Sequence, residues 1–106
     1  TVYSERENGK MTLRRGFAIG PADGVLLCED VVTTGGSIRE ILAIAREAGA
    51  RVAGTAALVD RTGGAQKDLN LKAALTLTPP TWKPEDCPMC KAGRPIDTPG
   101  SRHLTT

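Results

Sequence analysis

The hydrophobic positions of this chain change period along its length, and each change marks an element. From Val2 to Phe17 the text reads as a short strand, a polar loop through Ser4-Glu5-Arg6-Glu7-Asn8-Gly9-Lys10, and a second strand from Met11 to Arg15, with Asn8-Gly9 as a hairpin turn signal. Pro21-Ala22-Asp23-Gly24 is a turn, and Val25 to Cys28 is a continuous apolar run, the pattern of a strand covered on both faces. The period then becomes helical. Ile38, Ile41, Leu42 and Ala45 fall on one face at i, i+3, i+4 and i+7, Arg39, Glu40, Arg46 and Glu47 lie elsewhere, and Gly49 is placed to stop the helix. Arg51 to Val59 returns to small and β-branched residues, a second strand. The chain thus contains a βαβ unit with parallel strands and a right-handed crossover, which sets Asp60-Arg61 beside Glu29-Asp30. A weaker strand is predicted around Ala73 to Thr78, and after Pro79-Pro80 the text becomes an irregular tail held against the body. The fold class is α/β, with a mostly parallel sheet and flanking helices.

Chemistry concentrates where the first strand of that unit gives way to the helix. Glu29 and Asp30 stand at the carboxyl end of the strand, where ligands of open α/β sheets collect. Thr33-Thr34-Gly35-Gly36-Ser37 follows: glycines that let backbone N–H groups approach an anion, hydroxyl donors, and a helix that begins near Ser37 and points its positive end at the same place. With no lysine after the last glycine and only adjacent glycines, this is neither a Walker loop nor a dinucleotide fingerprint. A terminal monophosphate with neighbouring sugar hydroxyls suits it, the acids holding the hydroxyls. The competing reading is that one acid only caps local backbone N–H groups.

The run Val25 to Ser37 resembles the phosphoribosyl pyrophosphate (PRPP) motif of the type I phosphoribosyltransferases in full: an apolar strand, two acids, a short spacer and a Thr-Thr-Gly-Gly-Ser loop. Leu13-Arg14-Arg15-Gly16-Phe17, Ala57-Leu58-Val59-Asp60-Arg61-Thr62-Gly63-Gly64, Cys87-Pro88-Met89-Cys90 and Pro99-Gly100-Ser101-Arg102 narrow the resemblance to the bacterial and archaeal orotate phosphoribosyltransferases. It implies a single phosphoribosyltransferase domain of which residues 1–106 are the carboxyl-terminal part, since such proteins are longer at the amino end: a loop and hairpin over 1–17, the PRPP-binding βαβ unit over 25–59 and the tail over 79–106.

The resemblance also implies a reaction, in which N1 of orotate displaces pyrophosphate from PRPP to give orotidine 5′-monophosphate in pyrimidine synthesis, with Mg²⁺ as cofactor and a homodimer as the full form. PRPP contacts carry over to Glu29, Asp30, Val31, Val32, Thr33, Thr34, Gly35, Gly36 and Ser37, with Asp30 also a catalytic candidate. Orotate contacts carry over to Thr33 and Arg61. A guanidinium can grip the carboxylate that distinguishes orotate from uracil, whereas the plainer reading of Arg61 is a surface salt bridge with Asp60. Glu5 to Lys10 resembles the family's mobile catalytic loop, with Arg6 and Lys10 as its phosphate-contacting cations; a solvated hairpin tip reads the same way. The alternatives are a purine phosphoribosyltransferase, which needs no cation for a base carboxylate, and a PRPP-sensing regulator.

Composition adds limits. With 106 residues, 3% aromatic, the chain holds at most one domain with a core of Val, Ile, Leu and Ala. A net charge of +2, with acids and bases interspersed, forms no basic stripe for nucleic acid and no polybasic run for a membrane surface. With neither a bilayer-length apolar run nor a signal-peptide pattern, a cytoplasmic location is expected. Cys87-Pro88-Met89-Cys90 has the spacing of half a zinc site, but only Cys28, predicted in a buried strand, and His103 remain as further ligands. A structural knuckle with free thiols is therefore preferred, and no metal ligand is assigned.

Overall fold

The computed structural model describes residues 1–97. Pro99-Gly100-Ser101-Arg102 and His103 lie outside the described residues. Strand β1 (Ser4–Glu7) pairs antiparallel with β2 (Lys10–Leu13), with Glu7 opposite Lys10. Asn8 at φ 50° and Gly9 at φ 80° form the two-residue turn whose positive φ angles match the strand twist. The hairpin signal therefore holds, but the expected polar loop is shorter. Ser4 to Glu7 are themselves strand, because the tight turn brings their backbone groups opposite those of Lys10 to Leu13. At the open end Arg14 N–H donates to the Tyr3 carbonyl at 2.9 Å, and the rings of Tyr3 and Phe17 pack 5.7 Å apart at 60°.

The body is a three-stranded parallel sheet in the order β3 (Gly24–Val32), β4 (Arg51–Asp60), β5 (Leu71–Thr76). Helix α1 (Gly36–Glu47) forms the crossover between the first two strands, the βαβ unit expected from the pattern. β3 continues through Glu29 and Asp30 to Val32, four residues beyond the apolar run, because its partners Ala57, Val59 and Asp60 continue the ladder. β5 begins at Leu71, two residues ahead of expectation, after a 3₁₀ turn over Lys67–Leu69 that the pattern did not mark. The tail contains one helical turn, α2 (Pro88–Lys91).

Leu27, Ile38 and Leu69 form the buried centre, with Val25, Ile41, Leu42, Val52 and Leu71 packed around it. The α1 stripe is thus the one that the spacing predicts. Alternation along the strands sends the neighbouring side chains to the other face, and there Leu26 is 60% and Leu58 65% exposed. The expectation that β3 is covered on both faces is corrected: among the described residues a helix covers one face only. For the same reason Cys28, two positions from Leu26, is exposed rather than buried.

Candidate active site

β3 ends at Val32, and the chain crosses to α1 in three residues. Gly35, the residue preceding the helix, is buried at φ 80°, a left-handed conformation that costs a side-chain-bearing residue energy. Space demands glycine too, since a Cβ there would lie 2.9 Å from Leu69 Cδ1 and 2.7 Å from Arg39 Nη1. The first helical bond runs from Arg39 N–H to the Gly35 carbonyl at 3.1 Å, so the amides of Gly36, Ser37 and Ile38 precede the helical ladder. Thr34 Oγ1 accepts weakly from Gly36 N–H at 3.4 Å. No acid occupies the first turn of α1, which leaves the positive helix end unneutralised.

Glu29, Val31, Val32, Thr33, Thr34, Gly35, Gly36, Ser37 and Ile38 line a cup of about 40 Å³ at this helix end. That is room for a few waters, the scale of one tetrahedral anion. All of the loop residues that the sequence marks as PRPP contacts meet here. They differ in what they offer: Val32 is 2% exposed and packed, so it presents its backbone, whereas Thr33 and Thr34 are exposed hydroxyls.

The two acids occupy successive strand positions and so project to opposite faces of β3. Glu29 is half-buried and lines the cup; burial first, and the neighbouring Asp30 second, push its carboxyl above the ordinary glutamate range. Asp30 lies outside the cup, exposed, with Oδ1 accepting from Val31 N–H at 2.7 Å. Its second oxygen makes no hydrogen bond among the described residues, so a local cap and a ligand contact are compatible in the same carboxylate.

Arg61 is tied to this centre through the backbone. Its N–H donates to the Val32 carbonyl at 2.8 Å, carrying the β3–β4 ladder one step past Asp60 and fixing Arg61 next to the start of the loop. Asp60, 5% exposed, turns away: its Oδ1 accepts from Thr62 N–H at 2.7 Å. The Thr62 hydroxyl, then its N–H, hold the Asp60 carboxyl below the usual range, although Thr62 Oγ1 closes no hydrogen bond of ordinary geometry. The ion pairs of the described residues are Arg6–Glu40 and Arg39–Asp68, so the surface pairing of Arg61 with Asp60 does not form.

Arg6 and Lys10 are not brought to the cup. Arg6 pairs with Glu40 on α1 at 2.8 Å and donates to the Gly9 carbonyl at 2.6 Å, while Met11 N–H donates to the other Glu40 oxygen at 3.2 Å. Lys10 is exposed at the turn. Between this hairpin, the free edge of β3 and α1 runs an open groove of about 900 Å³, which reaches the cup at Glu29 and Ser37.

Two contributors lack a signal in the apolar pattern. Asp60 shapes the turn after β4, and Arg39, one of the charged positions off the α1 stripe, donates to the Thr34 carbonyl at 3.1 Å. An arginine four residues after a glycine that opens a helix is the one hint the sequence offers, since position i+4 returns to the same helix face.

Away from the site, Cys87 is buried and Cys90 half-buried on α2. The Cys90 amide, and then the Cys90 thiol and Met89 amide, hold the Cys87 thiol below its ordinary range, and the same contact raises that of Cys90. No cluster of three or more potential metal-ligating His, Cys, Asp or Glu side chains occurs among the described residues.

The chain as a whole is similar to known proteins. The chain is 53% identical over 103 residues to orotate phosphoribosyltransferase of Heliobacterium modesticaldum, a match covering 95% of this chain and 53% of that protein. It is 52% identical over 105 residues to the enzyme of the same name from Pelotomaculum thermopropionicum, covering 97% and 55%, and 46% identical to that of Thermotoga maritima, covering 98% and 56%. The chain thus spans about half the length of the curated relatives it matches. Among solved structures, adenine phosphoribosyltransferase from Leishmania tarentolae superposes with a TM-score of 0.50 at 25% identity, over 73% of this chain and 46% of that one. The family model described as the phosphoribosyl transferase domain matches residues 2–88, from the hairpin through the loop and Arg61 to α2, and the chain belongs to that family.

Proposed function

We propose that this chain is the carboxyl-terminal part of an orotate phosphoribosyltransferase domain, and that the complete protein converts orotate and PRPP to orotidine 5′-monophosphate and pyrophosphate. The observation that carries the reading is the bond from Arg61 N–H to the Val32 carbonyl, which fixes the backbone of Arg61, a residue with no ion-pair partner among the described residues, next to the start of the loop that lines the cup. A purine offers nothing to such a cation, whereas orotate offers a carboxylate. The name shared by the relatives supports the same substrate.

In this reading the 5-phosphate of PRPP enters the cup, met by the Gly36, Ser37 and Ile38 amides, the Thr33, Thr34 and Ser37 hydroxyls and the end of α1. Glu29 and Asp30 reach the ribose hydroxyls from the two faces of β3. Arg61, with Thr33, fixes the orotate carboxylate and so aims N1 at the ribose carbon. Orotate is already anionic at neutral pH through its carboxylate, so orienting N1 and stabilising the charges that develop on the ribose and the pyrophosphate matter more than a strong base. Arg6 and Lys10 supply cations to pyrophosphate when the hairpin swings from Glu40, in the chain's own site or a neighbour's.

Mg²⁺ fits the donor set: hard carboxylate oxygens on Glu29 and the free oxygen of Asp30, too few to form a cage, as suits an ion that keeps waters and shares substrate oxygens. When bound it compensates the charge developing on pyrophosphate. The assembly proposed for the complete protein is a homodimer, and the location the cytoplasm; no helix of the described residues is long and apolar enough to cross a membrane.

The test is pyrophosphate release from PRPP by the complete protein with orotate, uracil or adenine supplied. Release with orotate alone is the expected outcome. Release with adenine but not orotate overturns the assignment in favour of a purine enzyme, and PRPP binding without release for any base makes the protein a PRPP-binding regulator.

A further inference from the structure

Arg39 stands where the two halves of the proposed site meet. Its Nη1 donates to the Thr34 carbonyl at 3.1 Å, its Nη2 donates to Gln66 Oε1, and its Nε and Nη2 reach Asp68 Oδ2 at 3.2 and 2.8 Å, with Oδ1 at 2.9 Å from Nη2. Thr34 belongs to the phosphate loop. Gln66 precedes, and Asp68 lies within, the 3₁₀ turn that follows the Arg61–Gly64 segment, and Leu69 at the end of that turn is buried against Leu27 and Ile38. One guanidinium therefore clamps the loop to a turn that is itself anchored in the core.

The clamp also explains the space around Gly35. Arg39 Nη1 and Leu69 Cδ1 close on the position where a Cβ would be, so the left-handed residue is enclosed by the arginine on one side and the core on the other. Four of the five guanidinium N–H groups have protein acceptors, and the charge is matched by Asp68. Such a group is poorly placed to grip a phosphate and well placed to hold something that does.

We propose that Arg39 is a positioning residue that sets the phosphate loop in its anion-binding shape and ties that shape to the segment carrying Arg61. This rests on the assignment of the loop to the 5-phosphate. Planar fork geometry is what the clamp uses, because Thr34, Gln66 and Asp68 lie in directions that one lysine ammonium on a flexible stem cannot satisfy together. Arg39→Lys keeps the charge and removes the fork. Asp68→Asn keeps an acceptor for Nε and removes the charge pairing, so it is the milder change.

The experiment uses the complete protein in steady-state kinetics, with thermal unfolding measured on each variant. Arg39→Lys should raise the PRPP KM about tenfold or more, on the scale of a lost charge-assisted hydrogen bond. The orotate KM should change by less, and Tm should stay within a few degrees. Asp68→Asn should shift the PRPP KM in the same direction by a smaller factor. An unchanged PRPP KM in Arg39→Lys overturns the proposal, as does an equal rise in both KM values accompanied by a large fall in Tm, the mark of a merely structural arginine. If the wild-type protein releases no pyrophosphate with any base, the orotate reading has failed separately. Calorimetry with ribose 5-phosphate then tests the clamp: a Kd weakened by about tenfold in Arg39→Lys supports it, and an unchanged Kd overturns it.

Discussion

Replacing Gly35 by alanine perturbs the proposed phosphate cup at its most constrained point. The backbone at φ 80° costs an alanine about 1–2 kcal/mol. The added methyl also arrives 2.9 Å from Leu69 Cδ1 and 2.7 Å from Arg39 Nη1, and neither gives way freely: Leu69 is core, and Arg39 can retreat only by leaving the Thr34 carbonyl. Overpacking of that kind costs about 1–3 kcal/mol, so the native loop shape becomes less favourable by about 2–5 kcal/mol in total. At about 1.4 kcal/mol per factor of ten, the smaller figure weakens PRPP binding by up to about thirtyfold if only the native shape binds, the full loss appearing where another loop shape lies close in energy. Titration calorimetry of PRPP into the complete protein reads the Kd, and thermal unfolding reads how much of the cost reaches global stability. Gly36→Ala is the control, because its Cβ meets only Thr34 Oγ1 at 3.5 Å and its backbone is not left-handed, so the fold should accept it. A Gly35→Ala protein with unchanged PRPP affinity and unchanged Tm would falsify the reasoning, since neither the strain nor the crowding would then matter to the cup.

Arg61→Ala should raise the orotate KM about ten- to a hundredfold while the PRPP KM stays nearly constant, as for a charged hydrogen bond made to one substrate only; steady-state kinetics with uracil as competitor checks it, and unchanged discrimination against uracil counts against the assignment. Asp30→Asn should weaken PRPP much more than free pyrophosphate in calorimetry, because its proposed partner is a ribose hydroxyl; equal losses would move Asp30 to the pyrophosphate end. Glu40 has its carboxyl held below the ordinary range by Arg6 and the Met11 amide, so its contribution is present above the unfolded glutamate pKa and is lost as pH falls through the lowered folded value. A lower protection factor for the Met11 amide, taken against its intrinsic exchange rate at each pH, is the expected result below that pH in the wild type and at neutral pH in Glu40→Gln. Exchange that does not depend on the Glu40 carboxylate would show that the hairpin is held by other contacts.

The local order of this chain was written in its sequence because local rules govern it. Asn8-Gly9 can hardly be anything but a tight hairpin turn, the i, i+3, i+4, i+7 spacing of Ile38, Ile41, Leu42 and Ala45 fixes which side of α1 is buried, and Thr-Thr-Gly-Gly-Ser after an acid pair marks the strand-to-helix junction where the structure forms a cup. Tertiary structure alone decided the relations between segments. That Asp60 bonds Thr62 and leaves Arg61 without an ion-pair partner among the described residues, that Arg6 rests on Glu40, that Arg39 joins Thr34 to Gln66 and Asp68, and that Leu26 and Cys28 are exposed all depend on which residues the packing brings within about 3 Å or covers. A periodic pattern states which side of an element is apolar. Whether another element then covers that side, and which of several nearby acceptors a long charged side chain finds, is settled by long-range geometry that no local spacing encodes.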